Sequence, residues 1–301
     1  MKRVFSFIAI LIAVSVFSLV ANAQSDGKFE KSFSKVDRVR IQTVLGSCKI
    51  EKSSDDMIHV LVEYTYDPRD YEIDYYEGNN SLDLEEEFEE NNPRGYSKWS
   101  VAIPDGIDLR VESATGNIKI DGLKVELDGN SGTGNLTITK CDGMFELNSG
   151  TGNVNVESSK GEFKLNSGTG NVKVKSTSGE FDLNSGTGDV IAENIVIEKM
   201  SKLNSGTGDV YLELDENPKD DISINSGTGD SELRASGFDL VGYFEFRCNH
   251  DDGRIKCPVD FDSEDVEWRH GNRVEIKSFT KGSGSPKIKI STGTGTAELT
   301  M

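Results

Sequence analysis

The sequence predicts an all-β fold, a β-solenoid or β-helix with coils of about 18 residues flanked by irregular β-hairpins. Three observations predict it. The string N-S-G-T-G recurs at Asn130, Asn148, Asn166, Asn184, Asn204 and Asn225, each time followed by Asn or Asp. Between copies, apolar residues alternate with polar ones, as at Val154 and Val156 or Phe163 and Leu165, and no helical period competes. Two strands this short bury too little apolar surface to offset the entropy of ordering them, so successive units must stack.

Taken in order, the chain opens with Met1-Lys2-Arg3, an apolar run from Val4 to Val20, and Ala21-Asn22-Ala23. That is the plan of a secretory signal over residues 1–23. Cleavage after Ala23 is expected, leaving Gln24 first; the alternative is an uncleaved membrane anchor. No cysteine marks the cleavage site, which argues against a bacterial lipoprotein, and no later apolar run is long enough to span a membrane. The formal net charge is -19. Removing Lys2 and Arg3 takes it two units lower, to -21. A surface this acidic excludes nucleic acid and anionic lipid as partners and suits solubility, divalent cations or basic surfaces.

Residues 24–112 read as an N-terminal β region leading into the solenoid. Val39 and Ile41, then Cys48 and Ile50, alternate around Gly46. Aligned on that glycine, Cys48 shares a column with Ile118 and Val154, which makes it a buried small hydrophobe. Met57–Tyr66 alternates as a strand. Tyr71–Tyr76 and Leu82–Phe88 flank Gly78-Asn79-Asn80 as a hairpin. The acidic run Glu85–Glu90, just after five tyrosines (Tyr64, Tyr66, Tyr71, Tyr75, Tyr76), reads either as an adhesive acidic–aromatic patch or as an edge strand whose charges prevent edge pairing.

Residues 113–235 carry the repeat. The motif serine falls at Ser113, Ser131, Ser149, Ser167 and Ser185 in steps of 18, then at Ser205 and Ser226 after 20 and 21. Each unit holds two strands, a turn near Ser159-Lys160-Gly161 and a corner at S-G-T-G. Seven close-set copies at about 4.8 Å give roughly 29 Å of stack. The glycines permit a positive φ at the corner. The asparagines Asn130, Asn148, Asn166, Asn184, Asn204 and Asn225 are placed to form an amide ladder.

Residues 236–301 form a C-terminal β cap with a hairpin and a final coil, the latter carrying the degenerate copy S-T-G-T-G-T at Ser291–Thr296. Val241–Cys248 and Cys257–Phe261 flank a polar loop. Opposing Cys248 to Cys257 puts Phe246 across from Val259 and Phe244 across from Phe261, all on one face, so a disulfide-pinned hairpin is expected. Cys141 falls in a turn column and is left unpaired. No C-x-x-C occurs, which argues against a zinc knuckle or thioredoxin-type site.

The recurrent S-G-T-G-N/D-V with G-E-F-x-L resembles the bacterial "putative adhesin" domain family DUF4097. The strand and turn Ser100–Leu109 resemble that family's approach to its repeats, and Lys287–Gly295 resembles its closing strand and final turn. The resemblance spans roughly residues 36–301. It implies an exported or envelope protein with a solenoid-like β fold, and it supplies no catalytic residues.

Searches for chemistry return little. The G-T-G runs lack the third glycine and following helix of a dinucleotide loop. Calcium is the one ion suggested. The last column of the motif changes from asparagine to Asp189, Asp209 and Asp230, and stacked aspartates repel unless solvated or bridged by a cation. No organic cofactor is expected. The three histidines, His59, His250 and His270, lie in no zincin motif, and no G-x-S-x-G elbow occurs. The stacked threonines from Thr133 to Thr228 could face an ordered lattice, but flanking glycines favour a corner. The expected function is a non-enzymatic, adhesin-like surface or envelope interaction module whose partner is a protein or glycan. The alternatives are a purely structural or stress-related periplasmic protein without a dedicated ligand, and a polysaccharide-active β-helix enzyme.

Overall fold

A computed structural model describes residues 27–89, 94–235, 237–269 and 271–301. The expected signal at 1–23, Glu90 and His270 lie outside the described residues. Among the described residues there are strands and no helix.

The repeat folds as two facing parallel sheets. Short strands such as Leu136–Thr139, Val154–Glu157 and Val172–Lys175 stack in one sheet, with Leu136 beside Val154 and Val154 beside Val172. Long strands such as Asp142–Thr151, Lys160–Thr169 and Ser178–Thr187 stack in the other, with Phe145, Phe163 and Phe181 in line. One coil is one short strand and one long strand, as the alternation predicts. Period-two geometry turns Val154, Val156, Phe163 and Leu165 inward, and all four are buried. Because each coil sits one strand spacing above the last, like rings stack on like. Phe145 and Phe163 lie 5.0 Å apart at 10°, Phe163 and Phe181 5.4 Å apart at 9°. One apolar core runs from Phe33 to Leu299.

The S-G-T-G corner is closed by its neighbour one coil away. The Ser149 hydroxyl donates to the Gly134 carbonyl at 2.9 Å, and Ser167 donates to Gly152 at 2.7 Å. The Gly152 N–H donates to the Thr169 carbonyl at 3.0 Å. Positive φ explains only the second glycine of the motif, and only from Gly152 onward: Gly152 has φ 154°, whereas Gly134 and Gly150 lie outside the left-handed region. A Cβ on Gly150 would sit 2.7 Å from the Gly132 carbonyl oxygen, so the first glycine is set by close approach of stacked backbones. The opposite corner uses left-handed non-glycine residues, Lys140, Ser158 and Ser176, at φ 55°, 52° and 50°. The residue after each is small and buried. The Cys141 N–H donates to Ser159 Oγ at 3.1 Å, and Ser159 Oγ donates to the Glu157 carbonyl at 2.9 Å. The longer steps of 20 and 21 residues place their extra residues at or beyond this second corner. In the 20-residue step Gly179 still pairs with Ile197 while Asp182 pairs with Lys202, so the two extra residues lie between Ile197 and Lys202, and Asn184, Asn204 and Asn225 stay aligned.

Both ends of the stack are closed by strands that leave the parallel order. Arg38–Lys52 bends at Gly46 and serves both sheets, with Ile107–Thr115 and Ile118–Asp121 on its repeat side. Ser81–Phe88 and Ser97–Ile103 lie on its other side. Antiparallel strands lie further out: Tyr71–Gly78 on Ser81–Phe88, and Met57–Tyr64 then Gly27–Ser34 on Ser97–Ile103. At the other end, Ile222–Thr228 finds its outer partner in Lys287–Thr294, 66 residues later in the chain. The intervening chain passes outside. Gly242–Asn249 and Arg254–Lys256 form one more coil on Lys287–Thr294 and Thr296–Thr300, and Asn272–Lys281 and Ser263–Arg269 finish the long-strand sheet.

This arrangement corrects the expected hairpin. Gly242–Asn249 does turn Phe244, Phe246 and Cys248 to one face, but its antiparallel partner is Asn272–Lys281. Phe279 stacks on Phe244 at 4.5 Å and 6°. Alternation fixes which side chains face inward and not which strand lies beside them.

Two substitutions test the corners by urea unfolding. Gly152→Ala meets both the Gly134 carbonyl and a forbidden φ, and is expected to lose about 3 kcal/mol or more. Ser158→Gly relieves a left-handed side chain and is expected to gain from a few tenths to about 1 kcal/mol.

Candidate functional site

The outer face of the long-strand sheet carries the most regular polar array. In each coil the residue before the buried corner serine points outward and is half-buried, which places the asparagine column in a trough between the glycine–threonine corner and a column of charges. Asn148 Nδ2 donates to Asn130 Oδ1 at 3.1 Å, Asn166 to Asn148 at 2.9 Å, and Asn204 to Asn184 at 3.0 Å. The ladder is broken where Asn184 turns to Asp182 Oδ1 at 2.8 Å, and it ends where Asn130 turns to Asp128 at 2.6 Å. Asn225 accepts from the Ser291 hydroxyl at 2.9 Å. Towards the N-terminal cap the trough deepens into a groove of about 740 Å³ that reaches from Arg40 to Asn166. At its head Glu112 binds Arg40 and Arg110, each at 2.8 Å. Partial burial pushes the Glu112 carboxyl up, but the two guanidinium groups outweigh it and hold it below its ordinary range.

The column suggested for calcium has another occupation. Each side chain's Oδ1 accepts the backbone N–H of the same position one coil on, from Asn135 onto Asn117 at 2.9 Å to Asp189 onto Asn171 at 2.8 Å. The pattern continues unchanged through the acids. Asp209 N–H meets Asp189 at 2.9 Å, Asp230 meets Asp209 at 2.8 Å, and Thr296 meets Asp230 at 2.6 Å. Among the described residues no group of three or more histidine, cysteine or acidic side chains is gathered to hold a metal ion. Asp189, Asp209 and Asp230 thus act as corner acceptors through Oδ1, as the asparagines of the column do.

Cys48, Cys141, Cys248 and Cys257 are free thiols in this structure. Cys248 lies on the long-strand sheet opposite Glu275, and Cys257 comes directly after Arg254–Lys256 of the other sheet. Burial pushes all four thiols up, with Glu275 adding to the shift that brings Cys248 to about 11. Thiols held protonated in this way are poor nucleophiles and poor metal ligands. Cys48 is buried in register with Ile118, as its column predicts.

The N-terminal cap holds what the sequence reading missed. Glu86 is buried. Its carboxylate accepts from the Val44 N–H at 2.6 Å, from Trp99 Nε1 at 2.8 Å and from the Tyr71 hydroxyl at 3.1 Å. Tyr66 and Tyr71 are buried beside it with rings 4.6 Å apart, and burial followed by the Glu86 charge raises both phenols. Of the acidic–aromatic patch, Glu86, Tyr66 and Tyr71 thus form an internal cluster, while Glu85, Glu87, Glu89, Tyr75 and Tyr76 are exposed. The alternation Leu82, Leu84, Glu86 carried the signal, since it puts Glu86 on the inward face.

A second constellation also went unread. His59 Nδ1 lies 2.8 Å from Ser32 Oγ, and its Nε2 lies 3.0 Å from Asp55. The residue types are those of a hydrolytic triad, but the His59 and Asp55 side chains are 41% and 52% exposed on an outer strand face. A hydroxyl left in water on such a face lacks the enclosed, oriented donors that acyl transfer requires. His250 sits half-buried in the turn after Gly242–Asn249.

Architecture and site together define a capped, two-sheet parallel solenoid with a continuous polar array on one face. The sequence matches the Toastrack DUF4097 family over residues 36–243, well over half its length, and the chain belongs to that family. Similar solved structures include a "putative cell adhesion protein" from Clostridium sporogenes, 12% identical, covering 91% of this chain and 98% of that one at a TM-score of 0.29. Another is a "putative adhesin" from Bacteroides fragilis, 13% identical over the same shares at a TM-score of 0.38. Comparison with curated proteins found no match.

Two measurements check this site. Glu86→Leu strands three donors in the cap and is expected to cost about 3–5 kcal/mol, with Glu86→Gln milder because its carbonyl oxygen still accepts. Thiol titration without reductant is expected to count four thiols in denaturant and to leave Cys48 and Cys141 unreactive in the native protein. A count of two would restore the Cys248–Cys257 bridge.

Proposed function

We propose that this protein is an exported, non-enzymatic interaction module that binds a component of the cell envelope or cell surface through the outer face of its solenoid. The observation that carries the reading is the in-register asparagine trough, a rigid row of hydrogen-bonding groups along the stack. A stacked β scaffold holds such a row at fixed spacing without ordering cost on binding, which favours extended partners. Export rests on the leader-like start of the sequence, and the acidic surface turns such a module away from nucleic acid. Among the described residues no helix is long and apolar enough to cross a membrane.

The purely structural reading draws on a different observation. Much of the hydrogen-bonding capacity of the corner columns is spent between coils, as it would be in a scaffold without a ligand. Labelled protein lacking residues 1–23, incubated with envelope fractions with calcium or with EDTA, separates the two. Saturable binding that EDTA leaves intact is expected; no saturable binding to any fraction would favour the scaffold. Release of soluble sugars from those fractions would instead favour the polysaccharide-active alternative.

A further inference from the structure

The geometry points to the asparagine trough as a binding site for an extended, uncharged glycan bearing amide groups, of the β-linked N-acetylhexosamine type. The inference rests on the envelope-module reading above and names its ligand class and site. The groove is elongated rather than bowl-shaped, running from Arg40 and Gln42 past Asn130 and Asn148 to Asn166. A carboxamide has two N–H donors and two acceptor sites. Asn148, bonded to an asparagine on each side, spends one donor and one acceptor site on them, leaving one of each for a ligand. An acetamido group offers the matching pair. The side chains recur at the strand spacing of about 4.8 Å. A sugar unit in an extended β-linked chain advances by a similar length and successive units are turned over, so alternate acetamido groups meet every second position of the trough.

Charge and backbone accounting exclude the other polymers. Arg40 at the head of the groove is already paired with Glu112 at 2.8 Å, and the chain's net charge of -19 opposes a polyanion. An extended peptide would require unpaired backbone groups, but the strands under the trough are hydrogen-bonded on both sides. Only side chains remain to make contacts, and a hydroxyl- and amide-rich chain is what they suit.

The test is calorimetric titration of chitohexaose into the protein lacking residues 1–23. Saturable binding is expected, at least tenfold weaker in Ala114→Trp and in Asn148→Ala, and unchanged in Asn155→Ala on the opposite sheet. Ala114 lies on the exposed corner beside the groove, so its replacement blocks the trough without touching the ladder. A thermal melt of each variant separates blocking from unfolding. Cellohexaose, of equal length but without acetamido groups, is expected to bind at least tenfold more weakly; equal binding overturns amide recognition. Wild-type affinity in Ala114→Trp overturns the site. No heat with chitohexaose while envelope fractions still bind overturns this inference and leaves the module reading standing, whereas loss of both overturns both.

Discussion

Every other feature of this protein depends on parallel strands stacked in register, one coil directly above the next. At that spacing a corner has room for little besides backbone and whatever satisfies it. The consequence is visible atom by atom at Gly150 and Gly152, where a methyl group would enter the carbonyl of the coil before it. It is visible again at Ser149 and Ser167, buried hydroxyls that serve the same carbonyl column. Buried polar groups at a turn are tolerable when they are paired, and for Ser149, Ser167, Ser185, Ser205 and Ser226 the partner is a glycine carbonyl of the corner next door. The repeat is therefore a hydrogen-bonding unit as much as a hydrophobic one. Neither the stacked phenylalanines nor the serines would be satisfied in a single isolated coil.

A stack satisfied only by its neighbours has a problem at both ends, and the two ends solve it alike. The chain leaves the parallel order, builds an outer layer, and returns to insert a coil inside that layer. Arg38–Lys52 lies within the N-terminal layer, and Lys287–Thr300 lies beneath the C-terminal one. The outermost strands are antiparallel, short or charged, as in Tyr71–Gly78 and Ser263–Arg269, which limits edge-to-edge association. Glu86 belongs to the same solution. Where the repeat has a serine, the cap places a buried carboxylate that gathers a backbone N–H, an indole and a phenol. Leaving any of those donors unpaired would cost more than a net hydrogen bond returns.

The core of the solenoid was legible from sequence because its constraints are local and repeated. Alternation at Val154, Val156, Phe163 and Leu165 gives the inward face, and the 18-residue period gives the stacking partner. The caps were not legible to the same degree, since they depend on which strands meet after long excursions. Alternation around Cys248 and Cys257 satisfied an antiparallel hairpin as well as it satisfied an additional coil, and composition could not choose between them. Glu86 was hidden by its setting. A run of acids reads as surface, yet inside a strand every second residue turns inward whatever its charge. The Ser32, His59 and Asp55 cluster had no signal at all, being spread over two strands and the turn before one of them.

The two corner columns differ in a way that their chemistry explains. One holds asparagine at all six of its motif positions, from Asn130 to Asn225, while the other passes from asparagine to aspartate after Asn171. In the second column the side chain only accepts, through Oδ1, from a backbone N–H one coil away. A carboxylate does that at least as well as an amide, so Asp189, Asp209 and Asp230 are admissible without any cation. In the first column Asn148 donates to Asn130 and accepts from Asn166, and a carboxylate has no proton to give. Only an amide can be both links of that chain. Asn148 is thus held by a demand of the fold, and the same demand leaves one of its donors and one of its acceptor sites for the trough. In this protein the requirement for stacking and the capacity for recognition are carried by the same groups.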